Sequence, residues 1–186
     1  MLKFFAKGGI RSLSTKLRRR IAIDLGCGRV RVPNVDFGLD IQKFPGVDVI
    51  ADLEDGLPFK DESVDEFFAV ELLEHLSNPI KIMNEIYRCL TPDGVLHFEV
   101  PTTSGLGAFQ DPTHKSFWNE NSFWYYTDLL RGHYPNLIKC RFTIEQMKIE
   151  WGWKFPLRGV SYAWGVLKKQ PMEEKYERVS DEVSGP

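Results

Sequence analysis

Four acidic side chains stand where short apolar runs stop. Asp24 follows Ile21-Ala22-Ile23, Asp40 follows Phe37-Gly38-Leu39, Asp52 follows Val49-Ile50-Ala51, and Glu71 follows Val64 to Val70. One such acid carries little information, but four at successive run ends make a single polar rim when the runs are neighbouring parallel strands. The first run continues as Asp24-Leu25-Gly26-Cys27-Gly28. Two glycines there let the backbone approach a ligand where a Cβ would collide. A carboxylate placed as Asp40 is accepts from two hydroxyls of a ribose. One placed as Asp52 accepts from an exocyclic amino group, with Leu53 beside it to pack on a flat base.

A second group lies downstream in Gln110-Asp111-Pro112-Thr113-His114-Lys115-Ser116-Phe117-Trp118. Histidine is the side chain best suited to proton transfer at neutral pH, so His114 is a candidate general base, and so is His75 beside Glu71 and Glu74. Each has a plainer reading: His114 fixes its loop by hydrogen bonding, and His75 satisfies local backbone groups. Phe109, Phe117, Trp118, Phe123, Trp124 and Tyr125 either wall an acceptor pocket or simply cover a sheet edge. His75, His97, His114 and His133 are far apart in the chain, and Cys27, Cys89 and Cys140 show no paired spacing. Neither pattern predicts a metal site, and the scattered cysteines argue for a reducing compartment.

The elements that must position these residues follow from periodicity. Strands are expected over residues 20–25, 37–41, 47–52, 64–70 and 95–101. Asn78-Pro79 supplies a cap and a first-turn proline for a helix carrying Ile82, Met83, Ile86, Tyr87 and Leu90 at helical spacing. Asn121 to Arg131 reads as a further helix, and Arg141 to Trp151 with Val160 to Lys168 as an antiparallel pair at one sheet edge. The alternation predicts an α/β fold with a Rossmann-like, doubly wound, mostly parallel sheet. Only Arg29 to Asp36, including Pro33, separate the first two strands, too few for an ordinary crossover helix.

At 186 residues the chain fits one domain, expected over 20–170, between a basic extension over 1–19 and an acidic tail over 171–186. The extension reads as a solvated arm, with an organelle-targeting leader or an anionic-surface contact as alternatives. No apolar run approaches the ~20 residues of a bilayer span, so a cytoplasmic protein without a transmembrane segment is expected.

Asp-Leu-Gly-Cys-Gly (24–28), Leu-Asp-Ile (39–41), Ala-Asp-Leu (51–53), Leu-Pro-Phe (57–59), Glu-Leu-Leu-Glu-His-Leu (71–76) and Leu-Thr-Pro-Asp-Gly-Val-Leu (90–96) resemble, in order, the motifs of class I methyltransferases. The resemblance covers residues 20 to about 101. It implies a seven-stranded sheet and S-adenosyl-L-methionine as cofactor. By position, Gly26, Cys27 and Gly28 would line the methionyl part, Asp40 the ribose, and Asp52 with Leu53 the adenine. Asp24 would support the glycine loop, and Glu71 would lie beside the sulfonium. Val30 stands where members carry a third glycine, so the chain is similar to a shortened subgroup whose first crossover helix has shrunk to a loop. The segment Asp111-Pro112-Thr113-His114 resembles a loop of several bacterial-type methyltransferases.

The implied activity is methyl transfer to a small molecule or sugar hydroxyl. Nucleic acid is disfavoured as a partner, because the body of the domain is acidic and phosphate binding needs a basic surface. The alternative is a degenerate cofactor-binding domain acting as a scaffold. A dehydrogenase, the nearest enzymatic rival, is disfavoured by Arg31 at the place of the dinucleotide fingerprint's last glycine and by the missing helix.

Overall fold

The computed structural model describes residues 19–151 and 159–172; the expected extension over 1–19, apart from Arg19, and the expected tail over 171–186, apart from Pro171 and Met172, lie outside the described residues. The strands are β1 (Ala22–Leu25), β2 (Phe37–Asp40), β3 (Val49–Ile50), β4 (Val64–Val70), β5 (Leu90–Pro101), β6 (Phe142–Trp151) and β7 (Ser161–Lys169). They form one sheet in the order β3-β2-β1-β4-β5-β7-β6. The first five pair in parallel, whereas β7 runs antiparallel to both β5 and β6. The antiparallel edge pair is therefore present, with β7 inserted inside it and β6 forming the edge. Because the chain reverses at β1, between β2 and β4, the switch point lies above the glycine loop.

One sheet face is packed. Helix α1 (Pro79–Cys89) starts where the Asn78 side chain accepts the Lys81 N–H at 2.9 Å, with Pro79 in its first turn. It buries Ile82, Met83, Ile86 and Cys89 within a core shared with Phe67 and Ala69 of β4, Leu96, Phe98 and Val100 of β5, and Leu167 of β7. Each fully buried aliphatic side chain of this kind contributes roughly 1.5–3 kcal/mol.

The opposite face shows the alternation of a half-covered sheet. Phe68, His97, Glu99 and Trp164 lie there, only partly buried, between neighbours that are buried, and Glu66 is half-buried beside them. Phe68 stacks on His97 with ring centroids 4.4 Å apart, and His97 Nε2 lies 3.1 Å from Glu66, which also pairs with Arg20 at 2.7 Å. Parallel strands are ordinarily buried on both faces by crossover helices. Among the described residues, the connections β1–β2 and β2–β3 contain no helix, and a groove of about 1010 Å³ runs along this face. Both short connections agree with the expected strand positions, which leave only residues 29–36 and 42–46 between the first three strands.

The stretch expected as a helix over Asn121–Arg131 is instead a 3₁₀ helix at Glu120–Tyr126 followed by a shorter one at Arg131–His133. Its start is a reciprocal cap: Asn119 accepts from Ser122 N–H, and Asn119 N–H donates to Ser122 Oγ. A three-residue period eclipses Phe123 and Tyr126, so both turn inward, where an α-helix would splay them. A short helix α2 (Gly107–Gln110), not expected from the sequence, precedes the Asp111 loop.

Candidate active site

The ends of β1, β2 and β4 and the turn after β3 meet on one rim. Asp24 is buried at 2% exposure, and its Oδ2 accepts the Val32 N–H at 2.8 Å. Burial pushes its carboxyl above the ordinary range, against the pull of that N–H. It thereby fastens the chain returning from the glycine loop. Gly26 and Gly28 both hold left-handed φ, +64° and +55°. A Cβ on Gly26 would lie 2.6 Å from Leu72 Cδ1, while one on Gly28 would meet nothing within 4 Å. The loop is thus closed toward Leu72 and open at Gly28. Cys27 is buried, its N–H donates to Leu39 O at 2.9 Å, and burial raises its thiol pKa.

Asp40 ties the rim together. Its Oδ2 accepts the Gly28 N–H at 2.9 Å and its Oδ1 the Gln42 N–H at 2.8 Å. Each carboxylate oxygen has a second lone pair, so both can still accept from a ligand. Asp52 is exposed, and its Oδ1 accepts the Glu54 N–H at 2.9 Å. Leu53 is 6% exposed and belongs to the hydrophobic core beneath the turn. Backbone direction turns it inward while Asp52 points out. The apolar side chain left at the rim is Ile41, next to Asp40 and 60% exposed. Glu71 is exposed and holds a left-handed φ of 48°, unusual for a residue with a Cβ. Its N–H donates to Glu99 O at 2.9 Å, which fixes the sharp exit from β4. The Leu57-Pro58-Phe59 segment is held from behind by α1, where Glu85 accepts the Leu57 N–H and Arg88 donates to the carbonyls of Leu57 and Phe59.

A second half of the rim forms where the Asp111 loop lies against a 3₁₀ turn at Leu73–His75. Lys115 N–H and Ser116 N–H both donate to Glu74 O, at 2.7 and 3.0 Å, and Ser116 Oγ donates to Leu73 O at 3.0 Å. His75 and His114, far apart in the chain, meet edge-on with ring centroids 4.9 Å apart. His114 Nδ1 lies 2.8 Å from Ala108 O, so the ring does anchor its own loop. His75 Nδ1 lies 3.1 Å from Thr113 Oγ1, whose hydroxyl donates to Asp111 Oδ1 at 2.6 Å. These Thr113 bonds hold the Asp111 carboxyl below the usual carboxylate range. Glu74 is 2% exposed, and burial, reinforced by the charges of Glu71, Asp111 and Glu99, pushes it up to about 7. Sequence reading passed over Glu74 as a neighbour of His75. Its signal was an acid between Leu73 and Leu76, both of which are buried.

The aromatics divide. Trp118 and Phe123 are core: Phe123 stacks on Phe98 at 3.9 Å and on Trp118 at 5.0 Å. Phe117, Trp118 and Tyr125 join Ile80, Tyr126 and Tyr134 around a cavity of about 350 Å³ that opens beside Ser116. Phe109 and Trp124 do not line it; Phe109 pairs with Phe117 at the surface at 5.0 Å.

Residues 38–98 match the family described as methyltransferase domain. An uncharacterised protein of Methanocaldococcus jannaschii is 37% identical over 84 residues, 41% of each chain, so the chain spans about two-fifths of that relative's length. The fold is similar to a SAM-dependent methyltransferase of Thermotoga maritima, with a TM-score of 0.56 at 18% identity over 83% of this chain and 84% of that one. It is also similar to the cyclase SpnF, with a TM-score of 0.59 at 15% identity over 82% and 75%. At these identities the likeness concerns the fold. No helix among the described residues is long and apolar enough to cross a membrane. The sheet order is thus that of a fold found in S-adenosylmethionine-dependent methyltransferases, and the stretch from the second to the fifth strand matches the methyltransferase domain family.

Proposed function

We propose that the chain transfers the methyl group of S-adenosylmethionine to an oxygen of a small molecule or sugar held at the Asp111 loop. The observation that carries this reading is Asp40, whose two oxygens clamp the glycine loop at Gly28 and the chain at Gln42 while keeping lone pairs for ribose hydroxyls. Gly26, Cys27 and Gly28 offer backbone to the methionyl part, and the open space at Gly28 admits it. Asp24 keeps that loop in place. Asp52 faces the base amino group, and Ile41 takes over from Leu53 as the apolar wall, with Leu53 bracing the turn beneath. Glu71 stands nearest the second half of the rim.

When bound, the cofactor supplies a methyl on positively charged sulfur, which departs with the electrons of the carbon–sulfur bond. What the chain must do is place the acceptor in line; orientation of this kind is worth roughly 7–11 kcal/mol. The aromatic cavity beside Ser116 is the acceptor's seat, and His114, two residues before Ser116, and His75, which meets it edge-on, are the side chains able to accept a hydroxyl proton. Its uncharged lining favours a ring-bearing or sugar acceptor over a phosphate backbone.

Calorimetric titration with S-adenosylhomocysteine is the test. Asp40→Ala should weaken binding by about 1.5–3 kcal/mol, the range for hydrogen bonds to a charged group. The absence of heat with the unaltered protein at millimolar ligand would exclude the cofactor site.

A further inference from the structure

We infer that Glu74, His75 and His114 form a binding site for a first-row divalent transition-metal ion at the acceptor half of the rim. One ligand atom from each of the three residues, a carboxylate oxygen and two ring nitrogens, lies within 4.8 Å of the other two. Two imidazoles and one carboxylate are a borderline donor set that suits Zn²⁺ and its neighbours and leaves coordination positions open for an oxygen ligand. Donors around a tetrahedral ion at ~2.1 Å stand ~3.4 Å apart. The cluster therefore closes by at most about 1.4 Å, within reach of side-chain torsions.

Two observations lift this above a chance cluster. Glu74 is 2% exposed, yet among the described residues its Oε2 has no hydrogen-bond partner. A buried orphan oxygen is costly, and a cation between it and the imidazoles would satisfy it. Second, both rings are oriented from behind. The Ala108 carbonyl can only accept, so His114 presents Nδ1–H to it and keeps the Nε2 lone pair. The Thr113 hydroxyl proton is engaged by Asp111, so Thr113 Oγ1 accepts from His75 Nδ1–H, and His75 Nε2 is likewise left basic. A carbonyl behind one histidine and a hydroxyl–carboxylate relay behind the other are the outer-shell supports that metal-bound imidazoles use.

The site stands independently of methyl transfer, so its test reads metal directly. Tag-free protein is stripped with chelator and dialysed against Zn²⁺ and, separately, Mn²⁺, and the bound metal is measured. Co²⁺ serves as a visible-absorption probe of the site. The unaltered chain should bind one equivalent of at least one of these ions, with cobalt ligand-field bands. His75→Asn and His114→Asn should each weaken binding at least tenfold, while His97→Asn and His133→Asn leave it unchanged. Thr113→Val should weaken it about tenfold, the lower end for outer-shell partners. Substoichiometric binding of all three ions by the unaltered chain, or equal affinity in both site-histidine variants, would overturn the proposal. S-adenosylhomocysteine titration of the same batches reports on the cofactor reading separately.

Discussion

The two halves of the rim are built in opposite ways. On the β1–β3 side, most of the hydrogen bonds that place a functional group come from nearby in the chain. Asp24 holds Val32, Asp40 holds Gly28 and Gln42, and Asp52 holds Glu54. On the β4 side, Glu74 and His75 take their neighbours from a loop nearly forty residues later, through Thr113, Lys115 and Ser116. The first half is short-range geometry written into glycines and aspartates, and it stands without a helix in any of the three connections from β1 to β4 among the described residues. The second exists only once β5 has brought the Asp111 loop back over the 3₁₀ turn.

The halves touch at Gly26, whose absent Cβ is replaced by the Leu72 side chain just ahead of Glu74. Gly26→Val should therefore damage both at once and have the largest effect. A β-branched residue at φ +64° is strained by about 1–3 kcal/mol before the clash with Leu72 is counted. Denaturant unfolding and S-adenosylhomocysteine titration should both register it; a change in only one would show the halves to be uncoupled.

Asp24→Ala comes next and should stay within the first half. It leaves the Val32 N–H without its acceptor, a loss of about 1–3 kcal/mol. Cofactor affinity should fall, while metal binding by dialysis is unchanged.

Glu85→Gln probes the support behind the Leu57-Pro58-Phe59 segment and carries a pH signature. Its hydrogen bond from Arg88 holds the Glu85 carboxyl below its ordinary 4.5. A depressed carboxyl stabilises the fold above its unfolded pKa and loses that contribution as pH falls through its folded value. The variant should be about 1 kcal/mol less stable near pH 7 by urea unfolding. The gap should narrow progressively below pH 4.5; a gap that persists to low pH would place the effect in packing rather than charge.

The smallest effect belongs to Thr113→Val, which cuts the link between His75 and Asp111. Its stability cost is about 0.5–1.5 kcal/mol. Its cofactor affinity should match the unaltered chain, and a fall there would mean that the Asp111 loop shapes the nucleotide seat as well.

The sequence by itself determined the strands, the rim and the capped helix. Alternation, Asn78-Pro79 and acids at run ends are local signals, and hydrogen bonds such as Asp40 to Gly28 act over a dozen residues. It also showed the shortened first crossover, since the count of residues from Arg29 to Asp36 is itself the constraint. Tertiary structure decided what depends on distant chain. It turned Leu53 into the core and left Ile41 at the surface, because the direction of a side chain at a strand end depends on what packs beneath. It wound Glu120–Tyr126 as 3₁₀, because Phe98 and Trp118 draw Phe123 inward and a three-residue period brings Tyr126 in with it. And it gathered Glu74, His75 and His114, which no spacing rule would join, because a contact across the folded chain costs loop-closure entropy that only the finished core repays.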